Sequence, residues 1–227
     1  MVTVNIASTP DREKELYHTV FSLLDQVDKV NICLNNYTHN PFAFMDMNSH
    51  KVNVIFKDNE LGDAGRYYFL EETEGWFFTC DDDIIYPKYY CEDTIQRMVN
   101  NNYKYASYHG RNFDNFPLES YYNDACKKYR CLEEVKEDVK VQFAGTGVSC
   151  FHTSNFKPSI DIFERSNMSD IFMGIESQKK NIDLICLSHE KDYFRYQEVP
   201  NTIYDAKCKD DKIETEIINI NYDYKSL

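Results

Sequence analysis

The run Cys80-Asp81-Asp82-Asp83-Ile84-Ile85-Tyr86-Pro87 carries the strongest chemical signal in the chain. Three adjacent carboxylates repel one another, and here they follow directly on the apolar run Trp76-Phe-Phe-Thr-Cys80, where burial makes repulsion costlier. The bland account is a solvated acidic turn, although acidic runs that merely face water normally lie in polar surroundings. The chemistry that offsets the cluster is a hard divalent cation, which prefers oxygen ligands; one or two carboxylates with the oxygens of a diphosphate complete a Mg2+ or Mn2+ shell. Further groups able to do chemistry stand at the edges of predicted elements. Ser8-Thr9 closes a strand, Asp63 and Arg66 share a Gly-rich turn, Asp170 opens a helix, and His109, His152 and His189 follow strand-like runs.

The elements that must position these groups can be read from periodicity. Val2 to Ala7, Val30 to Leu34, Val52 to Phe56 and Trp76 to Cys80 read as strands. Leu16, Val20, Leu23, Leu24 and Val27 recur at helical spacing, with Thr9 as expected cap and Pro10 as first helical residue. Helices are predicted near 64–72, 88–100 and 170–180, and strands at 105–108, 141–144 and 182–187. Alternation of strand and helix at this pitch gives an α/β class with a mainly parallel sheet, whose ligands collect at the carboxyl ends of the strands. Ser8-Thr9 and the Asp triplet both sit at such ends. Residues from about Arg111 to Val141 break the pattern, being polar and without a clear period. No internal repeat or linker divides the chain, and the tail from Asp205 is acidic with weak periodicity.

At 227 residues the chain can bury a sizeable core without disulfides. A net charge of −13 argues against nucleic acid or an acidic membrane as partner, since both require clustered Lys and Arg. An acidic protein can still bind an anionic nucleotide through a cation. The eight cysteines lie largely in apolar runs, as Cys33, Cys80 and Cys186 do, so reduced thiols and a cytoplasmic location are expected. No apolar stretch approaches the roughly 18 residues needed for a membrane span. The 18 Tyr and 15 Phe suit half-buried sheets first and carbohydrate surfaces second.

The sequence resembles the GT-A glycosyltransferases, in particular small single-domain, family-2-like enzymes of bacterial and large-virus glycan synthesis. Five blocks carry the resemblance in family order: Ile6 to Arg12, Asp58 to Arg66, Asp81 to Pro87, Phe143 to Gly147, and Ser169 to Phe172. The resemblance implies a Rossmann-like three-layer α/β/α GT-A domain over 1–227. Its nucleotide-sugar-binding half would be 1–110, its acceptor and catalytic half 111–190, and its acidic tail 205–227. It implies transfer of a sugar from a nucleoside-diphosphate sugar, UDP-sugar favoured, to a saccharide or glycoconjugate hydroxyl, with Mn2+ or Mg2+ and inversion. Asp83 and Asp81 would serve the metal, with Asp81 also near the ribose, and His189 would be a third metal ligand. Asp82 would position the donor sugar, and Ser8, Thr9 and Arg12 would frame the base and phosphates. Asp58, Asp63 and Arg66 would approach the ribose or diphosphate, Arg66 standing where many relatives carry Lys. Gly145, Thr146 and Gly147 would shape the sugar pocket. Asp170 would be the catalytic base, ahead of Glu176, and the 111–141 excursion would form the acceptor side.

Plainer accounts accompany several of these residues. Ser8-Thr9 can be a helix cap, Asp63 and Arg66 a surface ion pair, Asp170 a favourable charge at a helix N-terminus, and His189 a structural histidine. A nucleotidyltransferase is the competing enzyme class, but its Gly-rich basic loop after the first strand has no counterpart in Ser8-Thr-Pro-Asp11. A non-catalytic nucleotide- or carbohydrate-binding module is the third possibility.

Overall fold

Five segments in the chain's first half form strands of one sheet, the central ones with residues buried on both faces. In the computed structural model, which describes residues 1–43, 51–200, 202–203 and 207–223, these are β1 (Val2–Ser8), β2 (Lys29–Asn35), β3 (Val52–Lys57), β4 (Trp76–Cys80) and β6 (Tyr105–Ser107). With β9 (Val139–Val141), β11 (Val148–His152) and β12 (Leu184–Cys186) they make an eight-stranded sheet of order β3-β2-β1-β4-β11-β6-β12-β9. The β3-β2-β1-β4 run is parallel, whereas β11 lies antiparallel between β4 and β6.

The two faces of the sheet feed two cores. Phe78, Ala106, Cys150 and Ile185 point into one, under α1 (Glu13–Leu23) and α2 (Tyr90–Asn101). Their neighbours Phe77, Tyr105, Phe151 and Leu184 point into the other, under α3 (Ser169–Lys179) and α4 (Lys212–Asn221). This strict alternation of period two is the signature of a three-layer α/β/α fold. Burial of each of the fully covered pair Phe77 and Phe78 stabilises by roughly 1.5–3 kcal/mol. Register among the parallel strands is pinned by a buried amide ladder: Asn53 donates to Asn31 Oδ1 at 3.1 Å, Asn31 to Asn5 Oδ1 at 2.8 Å, and Asn5 to Phe78 O at 3.0 Å.

The region from 111 to 141 consists mostly of turns and bends punctuated by short strands. β7 (Gly110–Phe113), β8 (Cys126–Tyr129) and β10 (Phe143–Ala144) form a separate antiparallel sheet of order β10-β7-β8. A two-residue strand β5 (Ile84–Ile85) pairs with β13 (Arg195–Tyr196). The tail does not wander where it is described: α4 buries Ile218, and Leu118 and Asn219 exchange two 2.8 Å hydrogen bonds. Of the expected 205–227 tail, residues 205, 206 and 224–227 lie outside the described residues.

Three local expectations are corrected. The helix expected over 64–72 is a short 3-10 helix, Gly62–Tyr67, followed by turns. Thr9 has extended backbone but gives no side-chain cap; its hydroxyl donates to Asp11 Oδ1 at 2.5 Å, and Pro10 opens a 3-10 turn before α1. His152 was expected near the ligand rim. Because β11 runs backwards, His152 pairs with Trp76 at the start of β4, at the opposite end of the sheet, where the two rings meet edge to face.

Candidate active site

The carboxyl ends of β1 and β4 meet at one rim, since the register that sets Ile6 beside Cys80 carries Ser8 and Thr9 up to the Asp triplet. The triplet's backbone is pinned from several sides. Asp81 N donates to Gly147 O and to the Tyr86 hydroxyl, each at 2.9 Å, and the Tyr86 hydroxyl donates to Gly147 O. The Thr19 hydroxyl reaches Asp82 O and Ile84 O, at 2.9 and 2.8 Å, and Gln197 N donates to Asp83 O at 2.8 Å. A tight turn thereby replaces the strand, and the three side chains are left facing a cleft.

That cleft has a volume of about 720 Å³, and a smaller lobe of about 270 Å³ shares Asp63, Arg66, Asp81 and His109 with it. Ser8, Thr9, Arg12, Asp63, Arg66, Asp81, Asp82 and Asp83 line the larger part. Gly145, Thr146, Gly147 and Asp170 line the smaller. Thirteen candidate residues named from sequence, His109 among them, are therefore brought to one place. Asp58, His189, Glu176 and His152 are not. Asp58 is exposed outside the cleft lining, accepting from Glu60 N. His189 lies outside the lining with both ring nitrogens held by backbone carbonyls, Nδ1 on Leu187 O at 2.8 Å and Nε2 on Arg130 O at 3.2 Å, so it is placed as a structural histidine. Glu176, the second candidate base, faces Lys180 on α3 away from the cleft lining.

Arg66 is the strut between the two lobes. Only 5% exposed, it binds Asp81 Oδ1 through Nη2 at 2.9 Å, Thr146 O through Nη1 at 2.8 Å and Asp63 O through Nε at 2.8 Å. The expected surface pair of Asp63 with Arg66 is thus replaced by a buried link from Arg66 to the triplet. Thr146 extends the chain: its N–H and hydroxyl both donate to Asp170 Oδ1, at 2.8 and 2.7 Å. Asp63 closes the circuit by accepting from the Ser169 hydroxyl, while its other oxygen is buried with no hydrogen-bond partner among the described residues. One hydrogen-bonded path therefore runs Asp81, Arg66, Thr146, Asp170.

The electrostatics follow from crowding and burial. Burial pushes the Asp82 carboxyl up to about 6, and burial with the charges of Asp81 and Asp82 pushes Asp83 up to about 8. Burial likewise raises Asp63 to about 6, against the pull of Arg66. His109, on the cleft floor against Gly145, is pushed down to about 4 by burial and then by Arg111, which keeps its ring neutral at physiological pH. His109 follows a strand-like run in the sequence with no role attached to it; Arg111 and Lys128, also in the lining, stand in no recognisable motif. Their only sequence signal is a cation within each of two short runs that alternate weakly.

The donor set fits a hard cation of one kind and not another. No group of three His, Cys, Asp or Glu among the described residues is arranged to hold a metal by protein ligands alone. Two crowded carboxylates opening on a cleft do match a cation that takes one or two protein oxygens and completes its shell from a diphosphate. No helix among the described residues is long and apolar enough to cross a membrane, and all eight cysteines are free thiols.

No family model and no curated protein sequence matches the chain. Solved structures do. Residues 1–349 of Staphylococcus aureus TarS, a glycosyltransferase, in complex with UDP-GlcNAc, superpose with a TM-score of 0.57 at 14% identity. The match covers 91% of this chain and 61% of that one. The same TarS segment in a second structure gives a TM-score of 0.56 at 15% identity, covering 87% and 60%. The chain thus spans about 61% of the length of the TarS segment, and what it shares with it is a GT-A-like, three-layer α/β fold.

Proposed function

We propose that this protein is a glycosyltransferase that moves a sugar from a nucleoside-diphosphate sugar, UDP-linked in preference, to a hydroxyl acceptor with inversion at the anomeric carbon. One observation carries the reading: a carboxylate cluster at the end of β4 and a separately oriented carboxylate, Asp170, face one cleft and are tied together through Arg66 and Thr146. The fold shared with a UDP-GlcNAc-bound glycosyltransferase supports it. A cleft of this volume is within the roughly 300–1,000 Å³ range of small-ligand sites.

In this reading Ser8, Thr9 and Arg12 frame the nucleotide, and Asp82 orients the donor sugar. Asp83 and Asp81 are the residues that would hold Mn2+ or Mg2+. When bound, the cation supplies charge neutralisation for the departing diphosphate. Asp170 is the general base. Its Oδ1 is occupied by two donors from Thr146, which fixes the carboxylate and leaves Oδ2 to accept the proton of the attacking hydroxyl. His109, neutral on the floor, can hydrogen-bond a sugar hydroxyl without adding charge.

Calorimetric titration of UDP and GDP, with Mn2+ and then with EDTA, tests the reading. Metal-dependent binding that disappears in Asp83→Ala is the expected result, and the preferred nucleotide identifies the donor's base. If neither these nor the remaining nucleoside diphosphates bind under any metal condition, the proposal is wrong.

A further inference from the structure

β7 and β8 contribute Arg111 and Lys128 to the lining of the cleft, adjacent cations in a chain of net charge −13. In that antiparallel pair Arg111 stands directly opposite Lys128. Like charges at directly opposed positions destabilise a sheet. Here no carboxylate comes within ion-pair distance of either side chain among the described residues, and the Asp170 charge acts on Arg111 only from farther off. Arg111 is only 8% exposed, which makes the missing carboxylate more costly still.

Both cations are nonetheless held in place. The Arg111 guanidinium lies 4.4 Å from the Tyr121 ring centre and 5.4 Å from that of Tyr122, and donates to Tyr121 O at 3.1 Å. Lys128 Nζ donates to Tyr122 O at 3.4 Å. Carbonyl and ring contacts orient a guanidinium without neutralising it. Arg111 also lines the smaller lobe together with Asp170, whereas Lys128 opens on the larger one.

We propose that Arg111 and Lys128 form an oxyanion site that binds an acidic substituent, phosphate or carboxylate, carried by the acceptor. The anion's place follows from position: Arg111 shares the smaller lobe with Asp170, and Lys128 stands beside Arg111 where that lobe adjoins the larger one. Assignment to the acceptor rests on the glycosyltransferase reading; the oxyanion site itself does not. A guanidinium fork beside a mobile ammonium suits a tetrahedral or planar oxyanion and discriminates against a neutral sugar.

The probe is inorganic phosphate, titrated calorimetrically into the full chain in low-salt buffer with EDTA. Saturable binding is expected, at least tenfold weaker in Lys128→Ala and in Arg111→Gln, and weakened by added salt. Lys128→Ala protects the test against misfolding, since one long hydrogen bond is all that its ammonium loses; a thermal melt of each variant checks this. With Mn2+ present, UDP is expected to bind Lys128→Ala within twofold of the wild type. Absence of saturable phosphate binding, or binding that both variants retain, overturns the site. Parallel loss of UDP binding overturns the acceptor assignment and gives these cations to the donor diphosphate. If no nucleotide binds the wild type while phosphate binding still depends on Lys128, the glycosyltransferase reading fails and the oxyanion site stands.

Discussion

On the β4 side of the cleft, Asp81 is answered by a cation from within the protein, while Asp82 and Asp83 stay crowded beside it. Arg66 reaches Asp81 from a buried position, Thr146 saturates one oxygen of Asp170, and the backbone of the triplet is tied by Thr19, Tyr86 and Gln197. On the β7–β8 side, Arg111 faces Lys128 and no carboxylate pairs with either among the described residues. The first wall is assembled before any ligand arrives. The second is oriented but lacks a close counter-charge, so under the proposed reading the donor side is positioned in advance and an anionic acceptor would contribute charge of its own.

Four changes sharpen or break this contrast. The largest effect is expected from Asp170→Asn, which keeps the acceptor atom that Thr146 uses but cannot take a proton. Turnover should fall by about 10²–10⁴-fold with donor KM little changed; a variant with near-normal kcat would remove Asp170 from the base role. Arg66→Ala should be felt in folding. It strands Asp81, Thr146 O and Asp63 O together, and because Asp81 is 41% exposed the loss should be about 2–3 kcal/mol, below the full cost of breaking a buried pair. Denaturant unfolding measures it, and a loss under ~0.5 kcal/mol would mean that the strut carries nothing.

Gly147→Ala tests how closely the walls of the first region fit. A β-carbon there would overlap the Asp81 carboxylate, so UDP binding should weaken by about tenfold, on the order of 1.4 kcal/mol, with the melting temperature changed less. Unchanged UDP affinity would show that Asp81 has room to move. The smallest effect is a pH-dependent one at Asp63. Its carboxyl titrates near 6 in the folded protein against an ordinary 3.8, so the folded state holds a proton that the unfolded chain has released. Its contribution is fully present below about pH 4 and is lost as pH rises through 6. Asp63→Asn should therefore raise the melting temperature by a few degrees at pH 7.5 and leave it unchanged near pH 4. A gain of equal size at both pH values would place the cause outside this titration.

Much of the β4 side of the cleft was legible in sequence. The strands β1, β2 and β4 bury residues on both faces, so apolar residues dominate them without a polar face, and the Asp triplet stands out by ending one of them. Asp170 is visible as the acid that opens α3. The β7–β8 side was hidden for a physical reason: β7, β8 and β9 are three or four residues each, too short for period two to emerge, and Arg111 and Lys128, far apart in sequence, meet only through strand pairing. His189 misled because a histidine after a strand looks the same whether its nitrogens meet a metal or two carbonyls. The reversed direction of β11, which sent His152 to the wrong end, is a property of topology and leaves no mark on composition.

That reversed strand also governs how the molecule can be assembled. β6 precedes residue 111 in the chain, yet its partners in the sheet are β11 and β12, both from beyond it. A fragment ending near residue 110 would leave β6 unable to reach β4, with an empty lane one strand wide between them. The apparent halves of the sequence are therefore not autonomous units. Closing the sheet must wait for a long loop to return, which raises contact order and slows the final step of folding. For a ribosome-bound chain the consequence is temporal: the Asp triplet emerges early, but the Gly147 carbonyl that anchors its first residue arrives only some 65 residues later.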